Sequence, residues 1–238
     1  MTALVMIGGW GLPVDVLKPL ARDWQGECFY FGLDQPLSSV VNTPEAFVDA
    51  LLAQVPDGAA WLGWSLGGQL AMLAASRAVI PPAGVVTLCS TPAFVARPGW
   101  ELGMARVRFE AFAQGMRANA EREWRRFLLL QIHGDGLAAE ARRALNPWLE
   151  QGVPAALASL QCTLGWLDTL DLRELWQTPP CPALHILGAR DPLVDAAIAE
   201  QPGMRSRFLS IPEMAHWPHS QYWDRVRQSV IGSITQWE

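Results

Sequence analysis

Residues 61–68 read Trp61-Leu62-Gly63-Trp64-Ser65-Leu66-Gly67-Gly68, and this stretch decides the fold. It contains a G-x-S-x-G pentapeptide, preceded by the apolar run 59–62 and followed by the helix-favouring run 69–75. A strand, a sharp turn and a helix in this order expose a serine hydroxyl at the carboxyl end of the strand. Glycines flank the serine because strand and helix pass close together there. The stretch predicts a nucleophilic Ser65, although an ordinary glycine-rich turn would show the same pentapeptide.

Short apolar runs alternate with helical patterns on both sides of this turn. The predicted strands are 4–7, 27–31, 59–62, 84–89, 183–187 and 207–211, and the predicted helices include 14–23, one beginning at Pro44, and 222–237. Thr43 is the expected N-cap of the second of these helices, because its hydroxyl can accept a backbone N–H. Such alternation predicts an α/β fold, with a mostly parallel sheet covered by helices on both faces.

The pattern changes between Pro92 and Pro180, where helical periodicity dominates. Helices are predicted over 104–113, 118–130, 137–149 and 154–167, and no run in this part is typical of a strand. We therefore predict a core formed by residues 1–92 and 181–238. A helical lid, residues 93–180, is expected to be inserted in that core and is called the lid segment below.

Composition and charge exclude several classes of protein. The chain has 238 residues, of which 50% are hydrophobic and 17% charged, enough for one large α/β domain. A net charge of −5 argues against a nucleic-acid partner, and no apolar run reaches the ~20 residues of a membrane span. The first seven residues lack the basic region of a secretory signal. Four scattered cysteines, without C-x-x-C spacing, predict reduced thiols in a cytoplasmic protein, with neither a zinc site nor disulfides.

A serine hydroxyl is a weak nucleophile and needs a histidine base, which a carboxylate orients. After a G-x-S-x-G turn, the acid and then the histidine follow along the chain. Asp191 comes directly after strand 183–187, and His216 follows strand 207–211, so both are expected at the sheet edge where Ser65 stands. The other residues considered are His133, His185 (expected in the core) and His219 (expected at the surface or beside the catalytic residues) for the base, and Asp168, Asp171 and Asp195 for the acid. Asp191 could also simply cap the helix that begins at Pro192.

The reaction also needs donors for the oxyanion. The backbone N–H of Leu66, which follows the nucleophile, is one candidate. The other is Trp10 in the glycine-rich loop 8–11, whose backbone N–H would donate while its indole lines the pocket. Neither G-x-G-x-x-G nor a Walker lysine is present, so a loop that cradles phosphate is not predicted.

On these residues the chain resembles the α/β-hydrolase superfamily over nearly its full length. Within it, the chain is similar to the family of esterases that demethylate the methyl ester of pimeloyl-[acyl-carrier protein] in biotin precursor synthesis. The stretches that carry the resemblance are 9–12, 61–68, 90–97, 126–131, 171–173 and 215–218. The chain departs from the family at Gly8-Gly9, where His-Gly is usual, and at 34–38, where a longer glycine-containing turn is usual.

The resemblance implies the roles of nine residues. Ser65, Asp191 and His216 are the expected catalytic residues, Trp10 and Leu66 the oxyanion donors, and Phe127 a substrate-binding residue. Arg122, Arg126 and Arg143 are expected to bind the acidic acyl-carrier protein. Residues 97–143 contain nine arginines and six acidic residues, so this part of the chain has a positive charge that suits an acidic partner. A solvent-exposed helix face of mixed charge would have a similar composition.

We therefore expect a cytoplasmic, monomeric serine carboxylesterase that needs neither a metal nor an organic cofactor. Two alternatives stay open at this point. One is a general short-chain esterase or thioesterase that uses the same three residues. The other is a binding protein with this fold and no turnover, because a fold alone does not establish a function.

Overall fold

The computed structural model describes residues 1–34, 41–154 and 156–237. Six strands form one parallel sheet in the order β2-β1-β3-β4-β5-β6. The strands are β1 (Leu4–Ile7), β2 (Cys28–Phe31), β3 (Ala60–Trp64), β4 (Gly84–Leu88), β5 (Ala183–Gly188) and β6 (Arg207–Ile211). The predicted α/β fold is confirmed, and each strand lies within two residues of its predicted bounds.

The four central strands of this sheet are apolar except for Thr87 and His185, because helices cover both faces of the sheet. Every residue of β1, β3, β4 and β5 is buried, whereas β2 and β6 at the two edges are partly exposed. The strand order reverses between β1 and β3, since β1 pairs with β2 on one side and with β3 on the other. A reversal of this kind opens a crevice at the carboxyl ends of the two strands, where ligands bind in open α/β sheets.

Most helices follow the strands as expected; the corrections are the helix type of 14–21, an additional helix at 173–177 and the absence of a helix beginning at Pro192. The described residues contain α1 (Pro44–Leu52), α2 (Leu66–Arg77), α3 (Arg106–Ala118), α4 (Ala120–Gln131), α5 (Ala138–Gln151), α6 (Leu157–Thr169), α7 (Arg173–Gln177) and α8 (Ser220–Trp237), with a short 3₁₀ helix at Ala196–Glu200. Thr43 caps α1 as predicted, because its Oγ1 accepts the N–H of Ala46 at 3.2 Å. The segment Val14–Ala21 is a 3₁₀ helix and not the predicted α-helix, since Pro19 inside it lacks the N–H that an α-helix needs.

Helices dominate the lid segment. Between β4 and β5 the described residues form α3 to α7 and two isolated bridges, Val95–Met104 and Arg97–Trp100, but no strand. The role of these helices as a lid stays a prediction. Gln35–Ser38 of the shortened turn lie outside the described residues. No helix in the described ranges is both long and apolar enough to cross a membrane.

His185 shows how the lid segment is attached to the sheet. Its side chain is fully buried in β5, as expected for a core residue, and its Nδ1 lies 2.8 Å from Thr87 Oγ1. Its ring stacks on Trp176 of α7, with ring centroids 3.7 Å apart and planes 9° from parallel. Burial lowers the pKa of His185 to about 3, so the imidazole is neutral and serves as an aromatic platform for α7.

This burial predicts that His185 makes the protein sensitive to acid. Between pH 6.5 and 3 the unfolded chain binds a proton at His185 that the folded protein does not, so stability falls with falling pH. From pH 7 to pH 5 this residue alone should lower the free energy of unfolding by about 2 kcal/mol. In urea unfolding, the free energy of unfolding of His185→Gln should therefore fall by about 2 kcal/mol less than that of the unmodified protein over this pH range. An equal loss in both proteins would contradict the prediction.

Candidate active site

Ser65 occupies a strained turn between β3 and α2. Its φ of 56° and ψ of −121° lie in a region that residues other than glycine rarely adopt. Three hydrogen bonds hold this backbone: Ser65 N–H donates to Leu88 O at 2.9 Å, while Ser90 Oγ and Gly68 N–H donate to Ser65 O at 2.7 and 2.9 Å. The neighbouring strand and helix therefore force the serine into the conformation that the sequence motif predicts.

The glycines around Ser65 are required by close packing. A Cβ at Gly63 would overlap the backbone of Gly67, and a Cβ at Gly67 would lie 2.5 Å from the carbonyl oxygen of Gly8. The second contact also shows that the loop after β1 passes directly beside the start of α2. Ser65 and the loop that carries Trp10 are thus neighbours at the point where the strand order reverses.

Asp191 and His216 form a buried hydrogen-bonded pair. His216 Nδ1 lies 2.7 Å from Asp191 Oδ2, and each side chain is only 1% exposed. The other oxygen, Oδ1, accepts the N–H groups of Leu193 and Val194 at 2.8 and 3.0 Å. Asp191 therefore caps the turn with one oxygen and orients the imidazole with the other. The expected helix at Pro192 is absent, since the next helix is the 3₁₀ segment Ala196–Glu200 with Asp195 as its N-cap, so the capping interpretation holds only for a turn.

The loop that carries His216 is fixed next to the serine turn. The indole N–H of Trp64, the residue before Ser65, donates to the His216 carbonyl oxygen at 3.2 Å, and the two rings lie 5.8 Å apart. Ser65 Oγ makes no hydrogen bond to any residue that the structure describes. Hydrogen bonds between nucleophile and base are often long in unliganded enzymes and shorten in the substrate complex. The arrangement therefore suits a base that engages the serine when substrate binds.

Cys89 completes the buried surroundings of this pair. Its thiol, one Asp191 oxygen and one His216 nitrogen all lie within 4.8 Å of one another, a set that could in principle hold a metal ion. Burial first, and the Asp191 carboxylate second, raise the pKa of Cys89 well above its usual value. The thiol lies 3.7 Å from the Ala215 carbonyl oxygen, so Cys89 packs between the acid–histidine pair and the loop that carries His216.

The other candidate acids have different partners. Asp168 pairs with Arg106 at 3.0 Å and Asp171 with Arg173 at 2.7 Å. Asp195 caps the short 3₁₀ helix after β5 through the N–H of Ala197. None of these three contacts a histidine among the described residues, so Asp191 is the acid that the geometry favours.

A second acid–histidine pair was missed by the sequence reasoning. His219 Nε2 lies 3.2 Å from Asp135 Oδ1, and both side chains are fully buried, so the expectation of a surface position for His219 is wrong. Its Nδ1 is buried and has no hydrogen-bond partner in the described ranges. Because no reacting group can reach that nitrogen, His219 is unsuited to act as the base. No motif links residues 135 and 219, so only the folded structure reveals the pair.

A cavity of about 760 Å³ adjoins the site and lies mainly between α3 and α4. Phe112, Phe127 and Leu130 line it together with Leu193 from the turn after Asp191. Ser65, Asp191 and His216 are not in its wall. The cavity therefore lies beside the acid–histidine pair and does not enclose it.

Trp10 connects the loop after β1 to the lid segment. Its indole N–H donates to Leu160 O at 3.0 Å, and its ring meets Phe127 edge-on at 5.0 Å. The side chain is almost fully buried and does not line the 760 Å³ cavity, so the expectation that the indole lines the pocket is wrong for this cavity. The indole lies behind Phe112 and Phe127, which do line it. In the described part of the chain, neither the Trp10 N–H nor the Leu66 N–H donates to a backbone oxygen.

The three candidate arginines differ in their surroundings. Arg122 and Arg126 of α4 line the cavity, with side chains 64% and 72% exposed, and both pair with Glu123 at 3.0 Å. The Glu123 side chain is only 5% exposed, so a buried carboxylate holds two exposed guanidinium groups. Arg143 is exposed on α5 and does not line this cavity.

Comparisons with known proteins agree with this geometry. Residues 8–229 match the profile of the alpha/beta hydrolase family. The pimeloyl-[acyl-carrier protein] methyl ester esterase of Methylococcus capsulatus is 38% identical over 195 residues, which is 79% of this chain and 76% of that protein. The enzyme of that name from Xylella fastidiosa is 34% identical over 247 residues, covering 98% of this chain and 96% of the relative.

Solved structures share the fold at low sequence identity. The enol-lactonase from Burkholderia xenovorans has a TM-score of 0.80 at 15% identity, covering 98% of this chain and 91% of that one. A hydrolase from Oleispira antarctica has a TM-score of 0.79 at 16% identity, covering 99% of this chain and 91% of that one. At these identities the likeness shows a common architecture.

The two roles of Asp191 predict the effect of Asp191→Asn. The amide oxygen can keep the cap on Leu193 and Val194, but the amide NH₂ then faces His216 Nδ1 and favours the wrong tautomer. We expect ester hydrolysis to fall about 10⁴-fold with little change in thermal stability. Asp195→Asn, the same change at a neighbouring capping carboxylate without a histidine, should keep its activity. Equal losses in both variants would mean that the turn and not the imidazole is affected.

Proposed function

Because the chain belongs to the α/β hydrolase family, we propose that it is a serine carboxylesterase acting on the methyl ester of pimeloyl-[acyl-carrier protein]. The observation that carries this proposal is the strained Ser65 turn beside the buried Asp191–His216 pair. The choice of ester is supported by relatives that cover up to 98% of this chain and carry this substrate in their names.

The proposed reaction has two steps. In the first, His216 Nε2 takes the proton of Ser65 Oγ as that oxygen attacks the ester carbonyl, while Asp191 Oδ2 holds the opposite imidazole nitrogen. The tetrahedral intermediate collapses, the bond to the methoxy oxygen breaks, and methanol leaves with the proton from His216. In the second, His216 takes a proton from water as the water oxygen attacks the acyl-enzyme carbonyl. The bond to Ser65 Oγ then breaks and His216 returns the proton to Oγ, which releases the free carboxylic acid and restores Ser65.

Backbone N–H groups of Leu66 and Trp10 would stabilise the oxyanion in both steps. Leu66 is the first residue of α2, so its N–H has no partner within the helix and lies at the positive end of the helix dipole. Trp10 follows β1, and the contact between Gly67 and Gly8 brings that loop beside the serine turn. Fixed donors of this kind stabilise charge that develops in the transition state.

The surroundings of the site suit a long acyl substrate on an acidic carrier. The cavity beside the site has aromatic and aliphatic side chains in its wall, including Phe127, which contacts Trp10, together with charged ones such as Arg108 and Glu123. The apolar part of this wall fits an acyl chain whose far end is a neutral methyl ester. Arg122 and Arg126 at the same cavity are exposed and fit carboxylates of a carrier protein by bidentate hydrogen bonds.

The Ser65→Ala variant tests the nucleophile. We expect hydrolysis of a short p-nitrophenyl ester to fall about 10⁴-fold or more, because removal of the nucleophile removes the covalent step. A fluorophosphonate probe should label the unmodified protein and not this variant. Ser76→Ala is the matched control, since it removes a hydroxyl of helix α2 that donates to Leu73 O at 2.7 Å, and it should leave labelling intact. Substantial turnover by Ser65→Ala would refute the proposed mechanism.

The arginines predict a difference between two substrates. Removing both Arg122 and Arg126 would leave Glu123 buried without a partner, so the test pairs Arg122→Ala and Arg126→Ala with Glu123→Gln. We expect KM for the carrier-linked methyl ester to rise about 10-fold. Turnover of a small free ester should stay within about twofold, because only the carrier meets these exposed charges. Arg143→Ala should raise the same KM by a smaller factor.

Arg225→Ala provides the control for this test, because Arg225 is an exposed arginine on α8, outside the lid segment. It should change neither substrate's kinetics. The effect of the arginine variants should also shrink at high salt, since exposed charges are screened. Equal losses on both substrates would mean that these residues hold α4 in place, which would favour a general short-chain esterase over a carrier-dependent one.

A further inference from the structure

Asp135 links the lid segment to the loop that carries His216. It lies between α4 and α5, and its side chain is fully buried. Its Oδ1 accepts the N–H of Leu137 at 2.8 Å and Nε2 of His219 at 3.2 Å. It also lies 3.1 Å from the hydroxyl of Tyr222, whose single proton is shared with the Glu213 carbonyl oxygen at 2.8 Å. Its Oδ2 accepts the N–H of Ala215 at 3.1 Å. Three nitrogen donors and one shared hydroxyl thus converge on one carboxylate.

The contact with Ala215 matters because Ala215 directly precedes His216. On the other side of His216, the N–H of Trp217 donates to Gln131 O at the end of α4, at 3.0 Å. A further backbone bond joins Gly136 N–H to Glu213 O at 2.8 Å. Residues of the lid segment therefore hold the N–H of Ala215, in the 214–215 peptide, and the N–H of Trp217, in the 216–217 peptide.

These contacts attach the lid segment to the core, and they also locate the backbone next to His216. Asp191 fixes the ring of His216 through one nitrogen, and Trp64 holds its carbonyl oxygen. The Trp64 bond restrains the 216–217 peptide from its carbonyl side, but neither contact reaches the 214–215 peptide that Asp135 holds. A ring that pivots about one hydrogen bond still needs its backbone located, since a displacement of about 1 Å can cost 10²-fold in rate. Asp135 and Gln131 provide that location.

We propose that Asp135 is a positioning residue for the base, which holds the His216 loop so that the imidazole stays aligned with both Asp191 and Ser65. The inference rests on the proposed role of His216. His219 and Tyr222 then act as donors that fix the Asp135 carboxylate and do not touch the substrate. This explains why a second acid–histidine pair is buried three residues beyond the first.

The hydrogen bonds also explain why a carboxylate is needed at position 135. Burial tends to raise the pKa of Asp135, but the hydrogen bonds from His219, Ala215 and Leu137 outweigh it, and the pKa lies below the usual value. An ionised carboxylate accepts on all of its lone pairs, whereas an amide accepts on one atom only. With an asparagine, either Ala215 or the group of Leu137, His219 and Tyr222 must face an NH₂ group.

The test compares Asp135→Asn with Asp171→Asn, a matched change at a lid-segment carboxylate that pairs with Arg173. We expect Asp135→Asn to lower kcat for a small free ester about 10- to 100-fold while KM stays within about twofold. Asp171→Asn should leave both values unchanged. The proton NMR signal of the His216 Nδ1–H, in its short bond to Asp191, should shift or broaden only in Asp135→Asn.

Variants of the two donors extend the test and guard against misfolding. Tyr222→Phe removes the hydroxyl that lies 3.1 Å from Asp135 Oδ1 and 2.8 Å from the Glu213 carbonyl oxygen, and it leaves the carboxylate in place, so kcat should fall about 2- to 5-fold. His219→Gln keeps an N–H near the Nε2 position and should retain more activity than His219→Leu. Unchanged kcat in folded Asp135→Asn would overturn the proposal. If Asp135→Asn does not fold, unchanged kcat in Tyr222→Phe would overturn it. An equal fall in Asp171→Asn would also overturn it, because lid stability would then be the cause.

Failure of this inference is distinguishable from failure of the proposed function. If Ser65→Ala abolishes turnover and fluorophosphonate labelling while Asp135→Asn matches the unmodified protein, the esterase stands and the positioning role falls. If the unmodified protein neither hydrolyses esters nor reacts with the probe, the proposed function itself fails, and the role of Asp135 fails with it.

Discussion

Ser65 keeps a positive φ only because its neighbours leave the backbone no alternative, and this constraint governs the geometry of the whole site. A residue other than glycine in such a conformation costs of the order of 1–3 kcal/mol. Leu88 O and Ser90 Oγ hold the peptide groups on either side, and both belong to β4 or the residues just after it. The glycines at 63 and 67 let β3, α2 and the loop after β1 approach closely. One turn therefore joins two strands, a helix and the loop that carries Trp10.

Around this turn, buried carboxylates perform structural and orienting tasks together. Asp191 divides its two oxygens between the turn after β5 and the ring of His216. Glu123 lies almost fully buried beneath Arg122 and Arg126 and fixes where these two charges stand. Burial of a carboxylate is costly unless donors surround it, and in each case several donors are present. The chain thus places charge in its interior only where that charge orders other groups.

The sequence predicted the elements that depend on local patterns. Strands 4–7 and 207–211 were placed to the residue, because short apolar runs bounded by glycine or proline leave little choice of bounds. The segment 14–21 was predicted with the wrong helix type, although Pro19 was a visible signal against an α-helix. Helix α7 was not predicted, since its position depends on Trp176 stacking on His185, an aromatic contact with a residue of another element. Asp135 and His219 are 84 residues apart, and no spacing rule links them.

Helix α4 carries three of the features that the site requires. Arg122 and Arg126 lie towards its start, Phe127 faces the cavity and contacts Trp10, and Gln131 at its end accepts the N–H of Trp217. A continuous helix of 12 residues is about 18 Å long and moves as a unit unless its hydrogen-bond ladder breaks. The ladder has no proline or glycine within α4 at which it could kink. The position of the arginines and that of the His216 loop are therefore coupled through one rigid element, so a carrier protein that shifted α4 would also shift the base.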